Sequence, residues 1–219
     1  MQPYRLDIDP ADVDTNGIAE DQTTAGAGNL TLNGALADLG TAGQFDIGDS
    51  YSSGIGGVQI GIESTGNLSG VTFTVTGKDQ DGISTTEAIT GPNNTTVESS
   101  TYWSQITQIA VDGAVGTNVE VGPVDEIITR TLPINWRATE ACTAAVTQLS
   151  GTCQFDIDET FDDVNVTVPA ITTAWITKAS NQSANVAQVL TIHATAVRLK
   201  FDSYTNGAEL QLNVIQGNG

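Results

Sequence analysis

Cations are scarce in this sequence. Seven Lys and Arg stand against 26 Asp and Glu, for a formal charge of −19. A surface so poor in bases has little with which to grip phosphate, which argues against a nucleic-acid partner. Anionic membrane surfaces are repelled for the same reason. There are one histidine, His193, and two cysteines, Cys142 and Cys153, too few for a convincing zinc site. No apolar run reaches the roughly 18 residues that a membrane-spanning helix needs. The opening stretch MQPYRLDIDPADVD has no apolar h-region, so it is not expected to be a secretory signal peptide. Charged residues make up only 15% of the chain, which excludes a coiled coil built on Glu and Lys.

What fills the chain instead is Gly, Thr, Asn, Val and Ile, a mixture that suits short strands and tight turns. VTFTVT at 71–76 puts Val71, Phe73 and Val75 on one face and three threonines on the other, a period of two. VQIGIE at 58–63 aligns Val58, Ile60 and Ile62, and NLTL at 29–32 opens the strand signal. KDQDG at 78–82 reads as a turn joining VTFTVT to ISTTEAIT in a hairpin, and GPNN at 91–94 as another turn. QITQIAVDG and NVEVG, near 105–113 and 118–122, are expected to form a further hairpin. In the second half, CTAAVTQL (142–149), Ser150-Gly151 and TCQFDIDETF (152–161) fit a hairpin that sets Val146 opposite Phe155 and Ala144 opposite Ile157. A helix over 138–149, ended by Gly151, is the rival reading. VNVTV at 164–168 alternates, and TAVRLKFDS and ELQLNVIQ close the chain around a Tyr-Thr-Asn-Gly turn.

The fold class expected is all-β: two tandem antiparallel β-sandwich domains with an extended N-terminal arm. The boundaries are 1–28 for an acidic arm that orders against a partner, 29–126 for the first sandwich and 127–219 for the second. The proline-bearing junction GPVDEIITRTLP coincides with a change in charge. Residues 1–126 hold 18 acids and only Arg5 and Lys78 as bases, a net of −16, whereas residues 127–219 have a net of −3. GQFDIGDSYS at 43–52 resembles CQFDIDETFD at 153–162, a short match consistent with duplication.

Candidate chemistry is thin. In the hairpin register Cys142 and Cys153 sit roughly 20 Å apart, too far for a disulfide; a different register would permit one. His193 in LTIHATAV is read as a packed or surface strand residue, with no GxSxG elbow for it to serve. Asp79 and Asp81 in KDQDG are a fragment of a calcium loop lacking the downstream Glu. Asp156, Asp158, Glu159, Asp162 and Asp163 cluster, but a glycosidase pair also needs a cleft with aromatic platforms. Trp103, Trp136 and Trp175 are read as core anchors or interface residues. Asn-x-Ser/Thr sequons at Asn29, Asn67, Asn94, Asn165 and Asn181 are chance products of composition. No catalytic, cofactor-binding or metal-ligating residue is assigned, no cofactor is expected, and the chain is read as non-enzymatic.

Five stretches carry a resemblance. TNGIAEDQTTAGAGNLTLNGALA (15–37) and GVTFTVTGKDQDGISTTEAITGPNNTTVESSTYWSQITQIAVDG (70–113) resemble a recurrent segment of tailed-bacteriophage virion structural proteins. In that segment a strand ending in TG meets a D-x-D-G turn, a T-E-x-I-T-G-P strand and a Y-W/F-x-x-I/V-T-x-I strand. TAVRLKFDSYTNGAELQLNVIQ (195–216) is similar to the closing hairpin of such proteins, and INWRATE (134–140) and ETFDDV (159–164) look like further pieces. Together these cover about half of the chain; Cys142 and Cys153 are not part of the pattern. The resemblance implies a non-enzymatic accessory protein on the virion surface, with capsid decoration or cement as the expected role. A tail, collar or head–tail fibre component, or a receptor- or glycan-binding adhesin, is the alternative. The partners implied are major capsid or tail proteins and further copies of itself, with no nucleic acid and no membrane. The acidity fits an exterior position, away from packaged DNA.

Overall fold

A computed structural model describes residues 4–37, 39–52, 54–137, 139–164 and 173–216. It is all-β, with 59% strand and 2% helix. The chain divides into two compact units: unit 1 comprises Met1–Ala11, Ser52–Ile55 and Glu126–Gly219, and unit 2 comprises Asp12–Tyr51 and Gly56–Asp125.

In chain order, β1 (Tyr4–Ile8) belongs to unit 1, and β2 (Ala19–Thr24), β3 (Gly28–Asn29), β4 (Phe45–Asp46) and the one-turn α1 (Ile47–Ser50) to unit 2. Then follow β5 (Ile55–Asn67), β6 (Thr72–Asp79), β7 (Ser84–Thr90), β8 (Asn93–Glu98), β9 (Trp103–Val111) and β10 (Val115–Thr129). Unit 1 resumes at Glu126 and holds β11 (Leu132–Pro133), β12 (Cys142–Ser150), β13 (Cys153–Thr160), β14 (Ile176–Gln182), β15 (Val186–Val189), β16 (Ala196–Tyr204) and β17 (Glu209–Gln216).

Unit 2 is ordered β10-β5-β9-β6-β7, with β8 on β5, β2 on β10, and β3 and β4 on β9. The expected hairpin of β6 and β7 forms, running from Thr72 opposite Thr90 to Lys78 opposite Ser84. Phe73 and Val75 are fully buried and the intervening threonines half-exposed, so alternation here does report the core face. The expected hairpin of β9 with β10 does not form. One edge of β9 is occupied by β6, from Phe73 opposite Val111 to Asp79 opposite Trp103, and its other edge by β3, β4 and β5 in turn. A strand whose ladder groups are all used has none left for its chain neighbour.

Unit 1 has one sheet ordered β1-β17-β12-β15 and a set of strands ordered β14-β13-β16, with β11 and the end of β10 on the far edge of β16. Residues 142–149 form a strand and not the rival helix. The hairpin expected of β12 and β13 is not present, however. β12 pairs with β17 (Ala145 opposite Asn213) and with β15 (Ala145 opposite Ala187), whereas β13 pairs with β16 and β14. The closing β16–β17 hairpin is absent for the same reason: the Thr205–Gly207 turn sends the chain from one sheet to the other. The two crossings brace each other. Thr205 N–H donates to Thr152 O at 2.9 Å, Thr152 N–H to Thr205 Oγ1 at 3.0 Å, and Ser150 Oγ to Gly207 O at 2.7 Å. Leu6, Ile8, Val146, Leu210 and Leu212 are buried from the first sheet, and Phe155, Ile157, Leu199 and Phe201 from the other strands. The rings of Phe155 and Phe201 lie 5.9 Å apart.

The expected N-terminal arm is not seen as such. β1 hydrogen-bonds along β17 from Tyr4 opposite Val214 to Ile8 opposite Leu210, with Ile8 1% exposed, and β2 pairs with β10. Sparse apolar periodicity concealed that Leu6, Ile8, Ile18 and Ala19 are enough to anchor these residues. Asn29, Asn67, Asn94 and Asn181 are exposed. The VNVTV segment and Asn165 lie, from residue 165 on, outside the described residues.

Gly151 has φ +62, and an added Cβ would lie 2.6 Å from the Ala208 Cα; Gly82, with φ +76 in the β6–β7 turn, has open space around it. Both positions disfavour L side chains, but only Gly151 is also crowded by backbone. Gly82→Ala is therefore expected to destabilise by about 1 kcal/mol. Gly151→Ala is expected to destabilise by clearly more, about 2–4 kcal/mol, because the two crossings must separate. Urea unfolding of the two variants measures the difference.

Candidate functional site: an aromatic cleft and a buried charge cluster

Along β13 the alternation of buried and half-exposed residues ends at Asp158, Glu159 and Thr160, which are all buried. Neighbouring strand residues face opposite ways, so Asp158 and Glu159 require separate partners. On the outer face, Asp158 meets Arg198 of β16 (Nε to Oδ2, 3.4 Å) and accepts from Thr177 Oγ1 at 2.9 Å. The Arg198 guanidinium lies 4.0 Å over the Trp175 ring, which shields the pair from water. On the inner face, Glu159 accepts from Thr191 N–H at 2.8 Å and from the Thr191 hydroxyl, with Lys178 Nζ at 3.8 Å. Lys178 in turn donates to Thr191 Oγ1 at 2.9 Å. Two of the seven bases are thus committed to the two buried carboxylates.

These contacts set the loops at this end of unit 1. Thr160 Oγ1 donates to Ala174 O at 2.6 Å, Asp162 accepts from Ala174 N–H at 2.6 Å, and Thr195 Oγ1 donates to Thr160 O at 3.0 Å. Beside them opens a cleft of about 310 Å³ lined by Pro133, Ile134, Trp136, Phe161, Asp163 and His193. Trp136 is 50% exposed and Phe161 45%. Arg137 lies 4.9 Å over the Trp136 ring. His193 is not in a strand, contrary to expectation. It sits in the turn between β15 and β16 at φ +73, exposed, with Nδ1 2.8 Å from Trp136 O. Aromatic faces with an imidazole and a carboxylate at the rim suit a polar ligand that has one flat apolar side.

The carboxylates singled out by sequence are dispersed. Asp156 accepts from Asn181 N–H at 2.8 Å, Asp162 serves a turn, and Asp163 reaches the cleft. Asp79 accepts from the N–H groups of Asp81 and Ile83, both at 2.9 Å, and so closes the β6–β7 turn. Among the described residues, no group of three or more His, Cys, Asp or Glu side chains is placed to hold a metal ion. Cys142 and Cys153 are buried free thiols, the Cys153 thiol pushed up to about 11 by burial. Of the tryptophans, Trp103 is fully buried, Trp175 stacks on Arg198, and Trp136 is the exposed one.

Unit 2 has a feature that sequence inspection missed, because its members are scattered from residue 13 to 125. A groove of about 200 Å³ is lined by Val13, Thr15, Glu63, Thr96, Glu98 and Asp125. Nearby, Glu120 is raised above the ordinary glutamate range by burial and by the neighbouring Asp21 carboxylate. Comparison with protein-family models and with curated proteins returned no match.

Two predictions follow from this chemistry. Arg198→Met strands a buried carboxylate and is expected to destabilise by about 3–5 kcal/mol, much of it recovered in Asp158→Asn/Arg198→Met. Denaturant unfolding of the single and double variants measures the coupling. The second concerns Glu87, where burial opposes ionisation but donors prevail: Ser100 N–H at 2.7 Å, Ser100 Oγ at 2.8 Å and Thr101 N–H at 3.0 Å hold its carboxyl below the ordinary 4.5. A depressed folded pKa contributes stability above the unfolded value and loses it as pH falls through the folded one. The stability gap between wild type and Glu87→Gln is therefore expected to be full above 4.5 and to close below it; urea midpoints from pH 7 to pH 3 (roughly the acid-titration range) would record this.

Proposed function

We propose that this chain is a non-enzymatic structural protein of a tailed-phage particle, carried on the outer surface as a capsid decoration or cement component. The observation that carries the reading is the phage-like segment 70–113, which spans β6 to β9; β7, β6 and β9 pair side by side, β8 lies on β5, and Asp79 closes the D-x-D-G turn. The segment 195–216 supplies β16 and β17, joined through the Thr205–Gly207 crossing of unit 1 and not paired as the hairpin that the resemblance implies. We read the two units as two β-sandwiches. Charge supports an exterior position. Within unit 2, residues 12–51 and 56–125 hold 15 acids and one base, Lys78, a net of −14. Such a surface is repelled by packaged nucleic acid. Many copies of a rigid module, each making a modest contact, reinforce a shell through multivalency.

The aromatic cleft favours a second reading, a receptor- or glycan-binding role on a tail or fibre, because exposed Trp136 and Phe161 with Asp163 and His193 match the chemistry of sugar recognition.

Cryo-electron microscopy of purified particles, with copies counted by quantitative mass spectrometry, separates the two. Hundreds of copies with density on the shell are the expected result. Copies numbering about six to a few dozen at a vertex or tail, as cyclic symmetry would give, would favour the second reading. Absence from purified particles would overturn both.

A further inference from the structure

The strands of unit 1 present two outer faces of different chemistry. Across β13 and β16, Asp156 stands opposite Lys200 and Asp158 opposite Arg198, with Lys200 also paired to Asp202 at 3.1 Å. Among the described residues, the outer face of the β1-β17-β12-β15 sheet carries no such charges over its centre. Its rows run Val189, Thr143 and Ile215, then Ala187, Ala145 and Asn213. A third row pairs Thr147 with Gln211. Among the described residues, the charged groups of this face lie at its margins. Arg5 and Asp7 on edge strand β1 neutralise each other at 2.8 Å, and Glu209 stands beyond Leu149 at the far end. Three of the large hydrophobic residues most exposed to solvent share this face or its end: Leu149 at 56%, Val189 at 54% and Ile215 at 49%.

We propose that this outer face is a self-association surface, on which a second copy of the chain packs sheet against sheet. The occupant follows from charge and symmetry. At −19, two copies repel each other wherever carboxylates would be brought together. A two-fold contact sets the same patch against itself, so like charges would meet in it. A face of Ala, Thr, Val, Ile and Asn is self-complementary, and burying it strands no ion. The patch spans three strands over about seven residues, on the order of 300–400 Å² per copy. A stable interface buries roughly 800 Å² per partner, so the contact is weak, with dissociation at about 10 µM to 1 mM. The inference stands apart from the particle assignment.

Sedimentation velocity of the full chain, from about 10 µM to 1 mM at low and high salt, tests it. Wild type is expected to shift from monomer towards dimer with concentration, and to shift further at high salt, because screening removes repulsion while no ion pair holds the contact. Ala145→Asp, in the middle of the face, and Ala187→Asp, on its exposed edge strand, are expected to remain monomeric, with unchanged circular dichroism. Gln154→Asp adds the same charge to the other outer face and is expected to associate like wild type. A monomer at every concentration and salt overturns the proposal. So does association that survives both face variants, or that Gln154→Asp abolishes equally.

Discussion

Unit 1 depends on the bracing of two chain crossings. Ser150–Thr152 and Thr205–Gly207 each carry the backbone from one set of strands to the other, and they hydrogen-bond side by side through Thr152 and Thr205. Because the crossings are in register, β12 must lie on β17 and β13 on β16. That single pairing decision fixes much else. It brings Val146, Leu212, Phe155 and Phe201 into the core, all at most 2% exposed. It also separates the charged outer face from the uncharged one, and delivers the ends of β13 and β16 to the loops that form the aromatic cleft. The Cβ position of Gly151 is filled by the backbone of Ala208 on the opposing crossing, so the bracing leaves no room for a side chain there.

A second constraint is the shortage of cations. With seven bases for 26 acids, a number of carboxylates are held instead by backbone amides and hydroxyls. Asp79, Glu87, Asp112, Asp156 and Asp162 all accept from main-chain N–H groups in turns or between strands. At Glu87 and Asp112 such bonds hold the carboxyl below its ordinary range without a counter-charge, so an acidic surface and an ordered set of loops coexist. The scarce bases Arg198 and Lys178 are placed where desolvation is most severe, beside Asp158 and Glu159. The functional reading draws on the same economy: a module that presents carboxylates outward is suited to the exterior of a particle filled with nucleic acid.

The all-β class, the β6–β7 hairpin and the inward set Val58, Ile60, Ile62, Phe73 and Val75 were legible from period-two alternation alone. Pairing partners were not. Ser150-Gly151 and Tyr-Thr-Asn-Gly have the residues of hairpin turns, and alternation says which face a residue takes but not which strand lies beside it. The N-terminal residues misled in the opposite way, since a five-residue edge strand needs only Leu6 and Ile8 to hold it, too few to register as a pattern. Within the cleft, Trp136 and His193 were noticed separately, but the bond between them joins residues 57 apart. The acidic groove of unit 2 is likewise assembled from segments that are distant in sequence.

The placement of β12 is the point on which the core, the two outer faces and the cleft all depend. Through-space proton contacts along its backbone test that placement most directly, in a labelled sample of the full chain. The structure predicts contacts from Ala145 to Asn213 on one side and to Ala187 on the other. Backbone contacts from Ala145 to Asp156, the partner that a β12–β13 hairpin would supply, would contradict it.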